Sequence, residues 1–298
     1  MQLFAGIEAG GTKFVCAIGD ALGNIREKII IPTTMPEETM AQVIKYLQAI
    51  NANTPISAIG IATFGPIDLD KKSPYYGYIT TPPKPGWGYY NILGAIQKFF
   101  PLPIGFDTDV NGAALGEYRW GAAQGLDTFL YITVGTGIGA GGIISGELMH
   151  GLIHPEMGHI FIPHDLQQDN FAGVCPFHGD CLEGLATGPA LHKRWNVKSA
   201  MDLPPDHPAW DLEAKYLGYA FANYILTLSP QKIIVGGGVM KRKELYPKIR
   251  AKVKSLLNGY IKHEKILTNI DNYIVEPGLH ENSGICGAMA LAEKALSH

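Results

Sequence analysis

Three glycine clusters mark where this chain would hold phosphate: Gly10-Gly11-Thr12, Gly135-Thr136-Gly137 and Gly236-Gly237-Gly238. Glycine lets backbone N–H groups approach an anion with no Cβ in the way, and threonine adds a hydroxyl donor. One glycine turn is ordinary hairpin chemistry. Three, each ending an apolar run, read as paired turns gripping a triphosphate from both sides. Two standard nucleotide motifs fail. GxxxxGK[ST] is absent, and although residues 137–142 match GxGxxG, residues 143–145 continue an apolar run where a helix should open.

A carboxylate and a metal-type cluster complete the chemistry. Asp109 follows the apolar run 102–106, where the chain turns into a small-residue helix. At the cleft end of a strand it suits a general base for a hydroxyl; it equally suits a helix N-cap, and residue type leaves the two level. Cys175, His178 and Cys181 put two thiols and an imidazole within seven residues. An upstream histidine (His150, His154, His159 or His164) makes four ligands for a tetrahedral, structural zinc. The alternatives are a local disulfide, disfavoured in a cytosolic setting, or two unlinked buried thiols, which leave His178 and Gly179 unexplained.

The elements around these residues read as a duplicated α/β unit. Residues 3–7, 14–18 and 25–31 are apolar runs separated by turn residues, a meander whose first turn holds Gly10-Gly11. Met40, Val43, Ile44, Leu47 and Ile50 recur at helical spacing behind Pro36. Residues 58–63 and 102–106 are short strands, and 110–118 a small-residue helix. Runs 129–134 and 138–144 repeat the glycine-turned hairpin, a helix covers 211–228, residues 233–235 lead into the third cluster, and 283–297 is an Ala-rich helix. Residues 64–90 are irregular, a loop long enough to carry function, and Trp87 and Tyr75–Tyr78 on it suit either packing or a ligand.

Composition narrows the class. The chain has 298 residues, 46% hydrophobic and 17% charged, enough for two domains with sizeable cores. Its net charge of −3, without a basic block, excludes a nucleic-acid footprint. The N-terminus lacks the basic region of a signal peptide. Residues 128–146 are uncharged and long enough to span a bilayer, but six glycines make them a poor helix and a better hairpin. Four cysteines are too few for a disulfide scaffold. The expectation is a cytoplasmic protein with no membrane span.

Gly6–Lys13 (GIEAGGTK), Asp107–Asn111 (DTDVN), Thr133–Gly139 (TVGTGIG) and Gly236–Val239 (GGGV) resemble, in order, the motifs of the ROK family of repressors and sugar kinases. The resemblance covers nearly the whole chain. It implies a two-domain actin-like ATPase (ribonuclease H-like) fold with an interdomain cleft: residues 1–115 plus 283–298 forming the smaller domain, 116–282 the larger one with the zinc loop. Glu8, where many members carry Asp, and the Cys/His pattern are most similar to the bacterial fructokinase branch.

The resemblance implies the roles that spacing leaves open. Asp109 becomes the catalytic base and Asp107 the bland neighbour. Gly10, Gly11, Thr12, Lys13, Thr133, Gly135, Thr136, Gly137, Gly188, Pro189, Gly236, Gly237, Gly238, Val239 and Met240 match the ATP segments. Gly65, Pro66, Thr108, Glu156, His159 and Glu183 join Asp109 around the sugar, with Thr108 standing where members usually have Asn. Glu156-Met-Gly-His159 matches the family's ExGH motif and selects His159 as the fourth zinc ligand, one ring nitrogen for metal and one for sugar. Magnesium is expected with the triphosphate, with Glu8 or Asp109 reaching it through water. The implied activity is ATP-dependent phosphorylation of a free hexose, fructose first, then mannose or glucose, by a homodimer. A repressor would need a helix-turn-helix ahead of the first strand, and that strand begins at Leu3.

Overall fold

The opening runs form an antiparallel meander, β1 (Leu3–Ala9), β2 (Lys13–Asp20) and β3 (Ile25–Pro32), in the computed structural model, which describes residues 2–297. Helix α1 (Pro36–Asn53) has Pro36 in its first turn, where a missing N–H costs nothing. The chain then returns as β4 (Ala58–Thr63), parallel to β1. The expected irregular segment holds a ribbon, β5 (Tyr78–Ile79) on β6 (Tyr90–Asn91), then helix α2 (Ile92–Gln97). Trp87 is fully buried there against Phe14, Phe64 and Tyr90, so it is a core residue. The next strand, β7 (Ile104–Thr108), starts later than the apolar run because Pro101 and Pro103 have no N–H to give a ladder. It pairs parallel to β4, and the sheet order is β3-β2-β1-β4-β7.

The second half repeats this order. β8 (Phe129–Val134), β9 (Ile138–Ile144) and β10 (Glu147–Leu148) are antiparallel; β11 (Ile233–Gly236) and β12 (Ile274–Val275) add parallel strands to give β10-β9-β8-β11-β12. The uncharged stretch considered as a membrane span is thus the β8–β9 hairpin. Among the described residues no helix is long and apolar enough to cross a membrane. Helix α3 (Asp109–Trp120) joins the halves, followed by α4 (Leu182–Leu185), α5 (Gly188–Trp195), α6 (Ala209–Leu228), α7 (Leu245–Leu257), α8 (Glu264–Leu267) and α9 (Ser283–Leu296). Two sheets sharing one strand order are the architecture of an actin-like ATPase.

What positions the cleft is a row of glycines. Gly6, Gly60 and Gly105 are register partners across β1, β4 and β7. A Cβ on Gly60 or Gly105 would collide with the carbonyl of Ala288 or Leu291, so α9 lies at backbone distance on the first sheet. The alternation of β1 follows. Leu3, Ala5 and Ile7 pack with Met40, Val43 and Leu47 of α1, while Phe4 packs with Cys286 and Met289 of α9. Glu8, on the α9 side, ends with its carboxylate against Gly284 in the helix's first turn. Helix α3 crosses α9 equally closely, Gly112 and Gly116 meeting Gly287. Buried Glu117 locks the crossing, accepting from the N–H groups of Ala122, Gly278 and Leu279 and from the Ser283 hydroxyl at 2.7–3.0 Å.

Candidate active site

Asp109 opens α3, but it is not the cap. The Thr108 hydroxyl accepts from the Asn111 N–H at 3.1 Å and is the N-cap, which frees the Asp109 carboxylate for the cleft. Asp109 is half-buried, and burial pushes its carboxyl up to about 6 although the Val110 N–H donates to it at 2.9 Å. Glu8 stands near it: burial first, then the Asp109 charge, raise Glu8 to about 7 against the pull of Lys13 and Lys28. Two carboxylates that disfavour each other's charge form a donor set suited to a hydrated divalent cation. Thr108, expected at the sugar, is 3% exposed with its oxygen engaged in the cap.

A second acidic pair lies across from Asp109. Burial, then the charges of Glu183 and Asp109, raise Glu156 to about 7. Three carboxylates from β7–α3, the segment after β10, and α4 therefore share one region. Glu183 also touches the glycine turn, its Oε2 accepting from the Ile138 N–H at 3.0 Å. His159 Nε2 lies 3.8 Å from Glu183 Oε1.

The glycine turns occupy the ends of their hairpins. Gly10 N–H donates to the Lys13 carbonyl at 3.0 Å, with Gly11, Thr12 and Lys13 exposed beside it. In the second half Gly135 N–H donates to the Gly137 carbonyl at 2.9 Å, Thr136 is exposed at the tip, and Gly188 N–H donates to the Gly135 carbonyl at 2.8 Å. The fold thereby docks Gly188 and Pro189, which start α5, onto the β8–β9 turn. Gly238 reaches the same turn. Gly237, just after Gly236 ends β11, has φ +99, a conformation glycine alone adopts readily, and its α-carbon lies against Val134. Thr133 lies at the end of β8; Val239 and Met240 bury their side chains in the second core, leaving only backbone to face a ligand. Glu281 links the first and third clusters: the Lys241 ammonium, 2.7 Å away, lowers its pKa, and Lys13 lowers it further.

The metal-type residues converge as well. The ligand atoms of His159, Cys175, His178 and Cys181 lie within 4.8 Å of one another. His159 Nδ1 is 3.6 Å from both Cys175 Sγ and Cys181 Sγ, and His178 Nδ1 is 3.6 Å from Cys175 Sγ. A tetrahedron with zinc–sulfur arms of about 2.3 Å and zinc–nitrogen arms of about 2.0–2.1 Å has S···N edges of about 3.5 Å, so the donor set fits zinc. All four cysteines are free thiols, which removes the disulfide alternative. His159 turns Nδ1 to the cluster and Nε2 toward Glu183.

Several residues escaped the sequence reading. Of the four nearby histidines, the other three have partners of their own. His150 Nε2 is 2.8 Å from Asp107 Oδ2, His164 lies between Asp180 and the Asp169 carbonyl, and His154 Nε2 accepts from the Ile67 N–H at 3.0 Å. That last bond reaches the loop of Gly65 and Pro66, whose peptide bond is cis. Asp107, set aside in sequence as bland, is a buried hub that also accepts from Asn111 Nδ2 at 2.9 Å, and Asn111 in turn accepts from Gly142 N–H. A polar residue inside an apolar run was its only signal.

The ROK family model matches residues 4–295. The chain is 50% identical to a putative fructokinase of Bacillus subtilis, covering 99% of this chain and 96% of the relative. It is 45% identical to a fructokinase of Pediococcus pentosaceus, with both chains covered in full at 100%. A ROK family glucokinase from Streptomyces griseus, solved with glucose and AMPPNP, superposes with a TM-score of 0.75 over 98% of this chain and 99% of its own, at 24% identity. With the family's motifs in order from end to end and its duplicated fold built around them, the chain belongs to the ROK family.

Proposed function

We propose that this protein is a fructokinase-type sugar kinase that transfers the γ-phosphoryl group of ATP to a free hexose, fructose first, giving fructose 6-phosphate. The observation that carries the reading is the placement of half-buried Asp109 among Glu8, Glu156 and Glu183, in a chain similar over its full length to proteins named fructokinase.

The chemistry follows from the residues. Glu156, Glu183 and His159 Nε2 take the sugar hydroxyls, two carboxylates accepting and one imidazole completing the clamp. Asp109 accepts the proton of the reacting hydroxyl while that oxygen bonds the γ-phosphorus; the bond from phosphorus to the β–γ bridging oxygen breaks and ADP leaves. The turns at 10–12, 135–137 and 236–238 face the phosphates, with the N–H groups of Gly10 and Gly135 spent on holding their own turns, and Gly188, Pro189, Val239 and Met240 line the adenine side. Glu8 or Asp109 would reach magnesium through water, and the ion would neutralise phosphate charge. His159, Cys175, His178 and Cys181 would hold zinc, which would order the loop that carries the sugar clamp.

The division into residues 1–115 plus 283–298 and residues 116–282 is supported by the two like sheets and by α9 lying on the first. A homodimer and a cytoplasmic setting come with the family resemblance and belong to the same proposal. ADP release, measured with fructose, mannose, glucose and no sugar, tests the activity. The expected result is the highest kcat/KM with fructose. Preference for another hexose would reassign the substrate, and ADP release indifferent to sugar would reject the kinase reading.

A further inference from the structure

We infer that His154 is a positioning residue that fastens the loop Gly65–Pro66–Ile67, from the first half of the chain, beside Glu156 of the second, and so sets the sugar end of the cleft. The inference deepens the sugar-kinase reading and rests on it. His154 is 4% exposed. Nε2 is 3.0 Å from the Ile67 nitrogen, 87 residues away in sequence. A backbone N–H can only donate, so Nε2 carries no proton, and the proton of the neutral ring sits on Nδ1. Nδ1 lies 3.5 Å from Glu156 Oε1, the carboxylate read as a sugar ligand. One imidazole thus presents an acceptor to the loop and stands beside the clamp carboxylate.

The fit on the loop side is tight. A Cβ on Gly65 would stand 3.1 Å from His154 Cε1 and 3.2 Å from Nε2, so the loop backbone lies against the ring and a side chain there would make the ring give by a few tenths of an ångström. Burial lowers the pKa of His154, opposed first by a hydrogen bond with the Pro155 backbone and then by the Asp107 charge. The phosphate turns have their own bonds, Gly10 to Lys13 and Gly135 to Gly137, and none of them passes through His154. Loss of the ring therefore loosens the sugar side alone.

His154→Leu and His154→Gln, made in the full chain, test this by initial rates at varied fructose and varied ATP, with zinc content and thermal unfolding measured on each. His154→Leu raises the fructose KM at least ~10-fold, as expected for a lost bond beside a charged group, while the ATP KM and zinc content stay near wild type. His154→Gln recovers most of the loss, because its side-chain carbonyl can accept from the Ile67 N–H. Amide exchange of the peptide containing Ile67 rises in His154→Leu whether or not sugar is turned over. An unchanged fructose KM, equal rises in both KM values, or no recovery with Gln would overturn the inference. So would failure of both variants to fold, which would make His154 a plain core residue. A wild-type protein indifferent to sugars sinks the kinase reading instead, and the exchange of Ile67 still judges the fastening.

Discussion

Glu183 Oε2 accepts a hydrogen bond from the backbone N–H of Ile138 at 3.0 Å, so a carboxylate of the proposed sugar clamp is tied to the β8–β9 turn proposed for phosphate. A Cβ on Gly137 would stand 2.7 Å from the same oxygen. Sugar and nucleotide sides therefore share one residue. Glu183→Ala should raise the KM for both fructose and ATP. Glu156→Gln should raise the fructose KM by ~10-fold or more with little change for ATP, since the contacts of Glu156 are on the sugar side. Steady-state kinetics with each substrate varied in turn separates the two patterns, and a fructose-only effect of Glu183→Ala would break the proposed tie.

Asp109→Asn should lower kcat by ~10²–10⁴-fold, the usual share of a general base. Because Thr108 is the cap, the helix start survives the substitution. Removing a buried charge that also raises Glu8 should stabilise the fold at pH 8 by about 1–2 kcal/mol, or about 2–8 °C in Tm. Kinetics and a melting curve on one preparation check both. Turnover within a few-fold of wild type would remove Asp109 from the chemistry.

The pH dependence has a defined direction. In the proposed mechanism Asp109 (about 6) and Glu156 (about 7) work as carboxylates, so kcat/KM for the sugar should rise with pH through 6–7 and level above it. Stability moves the other way. A carboxyl whose folded pKa is raised binds protons more readily in the native state, so the contribution of Glu8, Asp109 and Glu156 is greatest below the unfolded values of 3.8–4.5 and is lost as pH rises to about 7. Asp109→Asn should flatten part of that loss in denaturant titrations at pH 5 and pH 8.

Cys181→Ser should lose zinc and sugar turnover together, because a serine hydroxyl is a poor substitute for a thiolate ligand. Burial and the neighbouring Cys175 raise the Cys181 thiol to about 11, so metal affinity should fall as pH drops and protons compete for the ligands. Nucleotide binding, carried by turns outside the loop, should persist. Metal analysis beside nucleotide titration decides; full activity after prolonged chelation would take zinc out of the mechanism.

Gly60→Ala should be among the most damaging single-methyl changes in the chain. The added Cβ meets the Ala288 carbonyl and the Ala292 nitrogen, both backbone, so α9 must shift bodily. A loss of about 3 kcal/mol or more is expected, at the upper end of overpacking costs. Chemical denaturation measures it, and a loss under about 1 kcal/mol would show that α9 is not held at backbone distance.

Much of this was legible in residue order. Glycine turns, the apolar runs and the Cys175–Cys181 spacing are local signals, and local signals suffice where one segment makes its own structure. The β8–β9 hairpin and the zinc loop are such segments. What the linear chain left open was settled by contacts between segments far apart. Whether Asp109 or its neighbour caps α3 depended on which oxygen reaches the Asn111 N–H. Which of four histidines joins the thiols depended on where Asp107, Ile67 and Asp180 lie around the other three. The roles of Gly6, Gly60 and Gly105 appear only when three strands come into register under α9. Hydrogen-bond direction and backbone distance act through space, and residue order carries neither; that is why chemistry was readable from the sequence and its geometry only from the tertiary structure.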